Sequence, residues 1–274
     1  MPPLILRDFR WFNRNDMLRP LYRILGRHLA DKTDIETASS IVVLTDAIEA
    51  HMLERVGNWD NWDGSGEEDC IWIETPHMPI GYSQNTLVAM HIVSLSANNN
   101  IPCLFYFNSL TTRPNEGPQL TRWALMMDML RSIVVQLLLI LPREIYTDID
   151  LSTSRFEKLA ETSASLHDSL ALLRDVRAHV GDKLYCVIEG IQKIDEPNDL
   201  AHSAALEAIL LEFRSHISLL VSNASLGSHI PRKTVKACFT SDGPTTVLEV
   251  MERQGQVVKI KGTGYANIEN FGYN

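Results

Sequence analysis

The stretch Thr75-Pro76-His77-Met78-Pro79-Ile80-Gly81-Tyr82-Ser83 lies between a short apolar run and a helix-forming segment. That is where a phosphate-binding loop of the form GxxxxGK[ST] presents backbone N–H groups to an anion. On that spacing Pro76 takes the first glycine, Gly81 and Ser83 match, and Tyr82 takes the lysine. A tyrosine offers one hydroxyl and no charge. Losing a charge-assisted hydrogen bond of about 1.5–3 kcal/mol weakens phosphate binding roughly 10- to 100-fold. Pro76 and Pro79 donate no N–H, and the β-branched Ile80 resists positive φ. Ser83 suits a magnesium ion, and suits equally an ordinary helix start.

Other candidate chemistry is thinner. The nine histidines are dispersed. His91, inside a helical pattern, reads as a packed core histidine, and His77 as a surface residue within reach of an anion. Cys70, Cys103, Cys186 and Cys238 form no CxxC and sit in or beside apolar runs. They read as buried, reduced thiols, since zinc needs clustered ligands and disulfides suit small secreted domains. Asn58 to Gly66 is rich in turn residues and acids, but Trp62 stands where an EF-hand needs a ligand. Asn223-Ala224-Ser225 is a glycosylation sequon without secretory context. Neither a GxSxG elbow nor an HExxH helix is present.

The elements that would position the loop follow from periodicity. Residues 1–57 read as a helical region. It includes a capping box at Thr33-Asp34-Ile35-Glu36 and an apolar stripe at Ile35, Ala38, Val42, Ile48 and Met52. Residues 58–69 read as an acidic, turn-rich linker with its tryptophans packed on a neighbouring surface. From residue 70 apolar strands alternate with helices. Strands are expected at 70–74, 101–107, 184–188, 235–239 and 256–260. Helices are expected at 84–97, 122–141, 165–180 and 200–220. Continuous apolar strands separated by helices predict an α/β fold with a five-stranded, mainly parallel sheet covered on both faces. Ligands of such a sheet bind outside the carboxyl ends of its strands.

Several segments, in order, resemble the NACHT-type nucleotide-binding domains of the STAND class of P-loop NTPases, in the versions abundant in filamentous fungi. Trp72-Ile73 resembles the strand leading into the family's P-loop. Leu130 to Leu138 resembles its "LLRSLIxQLL" helix, Leu184 to Ile191 its Walker B strand "hhhhDGLDE", and Val235 to Ser241 the next strand, which ends in Thr-Ser-Arg. The resemblance covers roughly residues 70–261 and implies a P-loop NTPase-like three-layer sandwich over 70–274. It places Pro76, Gly81, Tyr82, Ser83, Glu189, Thr240 and Ser241 at the nucleotide, with Ser83 and Glu189 at magnesium. The departures are at least as informative. Gln192 and Lys193 replace the Asp-Glu pair that polarises water. Asp195 and Glu196, a few residues on, read as a solvated turn. Asp242 stands where the family has an arginine, and an acid there repels phosphate.

These departures predict a pseudo-NTPase, a regulatory or protein-interaction module that hydrolyses ATP poorly and needs no cofactor. The alternative is a nucleotide-binding ATPase or switch with an atypical P-loop that takes Mg-ATP. The resemblance implies a protein partner, such as a full-length NACHT/STAND relative, and the chain is then a stand-alone remnant or a fragment. The net charge of −9 argues against nucleic acid and anionic membrane as partners. The six arginines between Arg7 and Arg27 read as a helical surface, because that segment holds Asp8 and Asp16 and no serine, unlike a mitochondrial presequence. The run Ser132 to Pro142 is too short to span a bilayer. A soluble, cytoplasmic protein is expected.

Overall fold

The computed structural model describes residues 9–25, 48–60, 69–77, 83–108, 121–214 and 234–262. The capping box at Thr33 and residues 78–82, with Gly81 and Tyr82, lie outside the described residues. The chain divides into two compact units, one holding residues 1–29 and 127–180, the other 30–126 and 181–274.

The first unit opens with a strand where the sequence reads as helical. β1 (Arg10–Asn13) pairs antiparallel with β4 (Glu144–Thr147), Trp11 opposite Tyr146. Ile145 and Thr147 are buried while Glu144 and Tyr146 are exposed. That alternation is the signature of a half-buried strand. Phe9 and Trp11 stack on Tyr146 with centroids 5.2 and 4.9 Å apart. α1 (Arg14–Leu25) buries Met17, Leu18 and Leu21 and packs on α5 (Thr153–Ala160). α6 (Leu166–Arg177) starts at Ser165, whose side chain accepts from Asp168 N. Within this unit Arg131, on α4 (Arg122–Ile140), fastens that helix to the end of α5. Its Nε and Nη2 donate to the Leu159 and Glu161 carbonyls at 2.9 and 2.8 Å, and Nη1 meets Asp128 at 2.9 Å. A buried guanidinium needs such partners: the carboxylate answers its charge and the two carbonyls take further donors.

α4 (Arg122–Ile140) begins in the second unit and continues in the first. Its 19 residues make it long and apolar enough to cross a membrane by length and composition, against the expectation from Ser132 to Pro142 alone. Two thirds of its most apolar window is buried within the molecule, as in a core helix.

The second unit carries the expected α/β sheet, without residues 127–180 of the expected span 70–274. Its strands are β2 (Cys70–Thr75), β3 (Cys103–Phe107), β5 (Lys183–Glu189), β6 (Thr234–Asp242) and β7 (Val258–Lys261). They form one sheet in the order β3-β5-β6-β2-β7, parallel at every pairing. α2 (Ala50–Trp59) and α3 (Gln84–Asn98) cover one face, where Met52, Val56, Val88, Met90 and Ile92 pack on Ile71, Ile73, Tyr185, Val187, Cys238 and Ile260. Trp59 is buried on Tyr185, 5.6 Å between centroids, so this first tryptophan of the expected linker ends a helix; Trp62 lies outside the described residues. α7 (Leu200–Leu211) and α8 (Thr246–Arg253) join β5 to β6 and β6 to β7, in the sense opposite to the α3 connection. Right-handed crossovers therefore place them on the other face. The result is a P-loop-like three-layer sandwich.

Candidate functional site

The strand order selects the site. From β2 the chain crosses through α3 toward β3, and from the adjacent β6 it crosses through α8 toward β7. Where neighbouring connections diverge, a crevice opens outside the carboxyl ends of the two strands. Here it lies past Thr75 of β2 and Asp242 of β6, with the first turn of α3 on one side.

Ser83 is the N-cap of α3: its hydroxyl accepts from Thr86 N at 3.2 Å and lies 3.0 Å from Thr86 Oγ1. The three polar residues that follow, Gln84, Asn85 and Thr86, are all buried. Burial of polar groups at a helix start requires partners, and the sheet supplies them. Thr86 Oγ1 donates to Glu189 Oε1 at 2.8 Å. Asn85 Nδ2 donates to the Ser241 carbonyl at 2.5 Å and to Asp242 Oδ1 at 2.9 Å. Two adjacent residues of one turn thus engage the carboxylates ending two adjacent strands.

Glu189, 1% exposed, is further held through its backbone. Asn108 Nδ2 donates to the Glu189 carbonyl at 2.8 Å. The close approach depends on Gly190, at φ 77°, where an added Cβ would stand 3.0 Å from Asn108 Cβ. Thr240 shares the α3 face with Cys238 by alternation, and its buried Oγ1 has no hydrogen-bond partner among the described residues. Ser241 points to the other face. Its Oγ accepts from Trp72 Nε1 at 2.8 Å and donates to the Gly243 carbonyl at 2.7 Å. Of the residues expected at a nucleotide, then, Ser83 and Glu189 meet through Thr86, the Thr240 carbonyl accepts from Gly190 N beside Glu189, Ser241 contributes only its carbonyl, and Pro76 is exposed beyond β2. Gly81 and Tyr82 are not among the described residues.

Sequence reasoning locates α3 but not its buried polar turn, so it does not reach Asn85, Thr86 or Asn108. The signal that points to the turn is Gln84-Asn85-Thr86 opening a helix that is otherwise apolar on most sides.

Asp195 overturns the expectation of a solvated turn. It is 3% exposed. Its Oδ2 accepts from Thr246 N at 2.6 Å and Val247 N at 3.4 Å, so it stands at the start of α8. Arg122 donates to its carbonyl and pairs with Glu196 at 3.3 Å. Gln192 and Lys193 form a 3₁₀ turn just after β5.

His77, with 76% of its side chain exposed, lies 4.0 Å from Asp242. Burial lowers the His91 pKa, which favours the neutral ring. Burial pushes the Cys70 and Cys103 thiols up to about 12 and raises Cys238 as well, so none of the three is a thiolate nucleophile near neutrality. Among the described residues no three His, Cys, Asp or Glu side chains cluster as a metal site.

The donors lining the crevice are carboxylate, hydroxyl and amide groups from Glu189, Asp242, Thr86, Ser83 and Asn85. Oxygen donors suit a hard cation. Two carboxylates stand at the strand ends, and no lysine or arginine occurs at residues 74–77, 83–87, 188–191 or 240–243. Compared with known proteins, the chain matches no protein-family model, and no curated protein is similar to it.

Proposed function

We propose that the chain is a pseudo-NTPase, a P-loop-like domain serving as a regulatory or protein-interaction module without efficient ATP hydrolysis. The observation that carries this reading is the charge of the crevice. Phosphoryl transfer needs positive charge placed on the transferring group, and the described residues there supply two carboxylates and no fixed cation. The first turn of α3 is already engaged, through Thr86 with Glu189 and through Asn85 with Asp242. Saturating Mg-ATP is expected to leave the melting temperature unchanged. A ligand at 100-fold over its Kd would add about 2.7 kcal/mol, so a clear upward shift at micromolar ATP overturns the proposal.

One observation favours a second reading, a nucleotide-dependent switch with an atypical loop. The Thr86 hydroxyl 2.8 Å from the Glu189 carboxylate is a pair able to share a magnesium ion. That reading expects nucleotide retained through purification, or turnover that Glu189→Ala lowers. Protein free of nucleotide and without turnover removes it.

A further inference from the structure

We propose that Asp242 is a built-in anion, a carboxylate that occupies the ground beside the α3 N-terminus from within the chain and keeps phosphate out. The inference rests on the pseudo-NTPase reading and names the group that enforces it.

A helix N-terminus favours negative charge, because its first N–H groups lack intrahelical acceptors and the peptide dipoles add there. In α3 the Thr86 N–H is taken by Ser83 Oγ. The side chain of the next residue back, Asn85, extends this donor surface, and both of its donor contacts go to the end of β6. Its Oδ1 is buried with no hydrogen-bond partner among the described residues. The amide is therefore oriented by the end of β6, through the Ser241 carbonyl and the Asp242 carboxylate together. Asp242 is in turn held on a fixed turn: Gly243 N donates to the Thr75 carbonyl at 2.8 Å, Gly243 has φ 93°, and Ser241 Oγ closes on the Gly243 carbonyl. The carboxylate keeps 13% exposure and faces the crevice side, where His77 lies 4.0 Å away. It is placed to meet an incoming anion rather than sealed in the core.

The consequence is electrostatic. A phosphate brought to about 5 Å from a fixed carboxylate, at an effective dielectric near 20, is disfavoured roughly a hundredfold. Asp242→Asn keeps the volume and an oxygen for Asn85 to donate to, and removes only the charge.

The test is calorimetric titration of the full chain with sodium pyrophosphate at low salt, wild type against D242N, with Mg-ATP in parallel. The wild type is expected to ignore both ligands to millimolar concentration. D242N is expected to bind pyrophosphate at least about tenfold more tightly than the wild type, with affinity that falls as salt rises. If neither protein binds pyrophosphate, the built-in anion is wrong while the pseudo-NTPase reading stands. If the wild type binds Mg-ATP, both are wrong. Should D242N fail to fold, D242S takes its place, and failure of both to fold also overturns the inference, since a stand-in for a ligand is dispensable to the fold.

Discussion

Two helix N-termini described in the second unit receive a carboxylate from a residue that is not their own cap, and they use it differently; α7, by contrast, is capped by its own Asp199 through the Ala201 and His202 N–H groups. At α8, Asp195 is buried and accepts directly from the backbone N–H groups of Thr246 and Val247, while Thr245 Oγ1 accepts from Leu248 N. At α3, Asp242 is partly exposed and reaches the helix only through the Asn85 side chain, while Ser83 takes the cap. The first arrangement satisfies orphan donors and resists disruption. The second leaves the cap to a neutral hydroxyl and holds a charge at the mouth of the crevice. A carboxylate at a helix start is therefore not by itself a mark of function; direct bonding to the backbone and depth of burial separate a staple from a group facing ligands.

That contrast predicts a ladder of effects. Asp195→Ala should be the most damaging change. It strips acceptors from two N–H groups that burial keeps from water, at a cost of about 2–4 kcal/mol. Urea denaturation should show the midpoint falling with the slope unchanged, and a loss below about 1 kcal/mol breaks the contrast at its structural end. Thr86→Val comes next. It leaves the buried Glu189 carboxylate short of a donor and should cost about 1–3 kcal/mol in the same assay, with no accompanying change in response to Mg-ATP. Ser83→Ala removes the α3 cap and should cost about 1 kcal/mol; a much larger loss would mean the hydroxyl does more than cap. Asp242→Asn should move stability least, by about 0.5 kcal/mol or less, because the amide keeps the volume and leaves an oxygen for Asn85 Nδ2 to donate to. A destabilisation near that of Asp195→Ala would put the two carboxylates in one class and dissolve the comparison.

The sheet is largely legible in the amino-acid sequence. Cys70-Ile71-Trp72-Ile73 and Leu184-Tyr185-Cys186-Val187-Ile188 are continuous apolar runs, which a strand buried on both faces requires. The helices beginning near Gln84, Arg122, Ser165 and Leu200 also stand where periodicity puts them. Less legible are α8, only eight residues long, and the β1–β4 ribbon, whose strands pair across more than 130 residues. Nothing local in Arg10-Trp11-Phe12-Asn13 announces a partner so distant. Asp195 misleads for a related reason: the turn-like neighbours Pro197 and Asn198 suggest solvent, and only the packing of that turn against the start of α8 buries the carboxylate.

For the site, residue types and spacing are enough to show that the lysine, first glycine and paired acids a working P-loop site requires are not at those spacings, where Tyr82, Pro76, Gln192 and Lys193 stand. Which groups meet is decided by tertiary structure alone. Glu189 and Asp242 lie 53 positions apart, and both come under one turn of α3 because β5, β6 and β2 are neighbours in the sheet. Periodicity follows from local backbone geometry and is written in consecutive residues. The order of strands follows from burying all those apolar faces at once, and that order is what turns Asn85 and Thr86 from an ordinary helix start into the wall of the crevice.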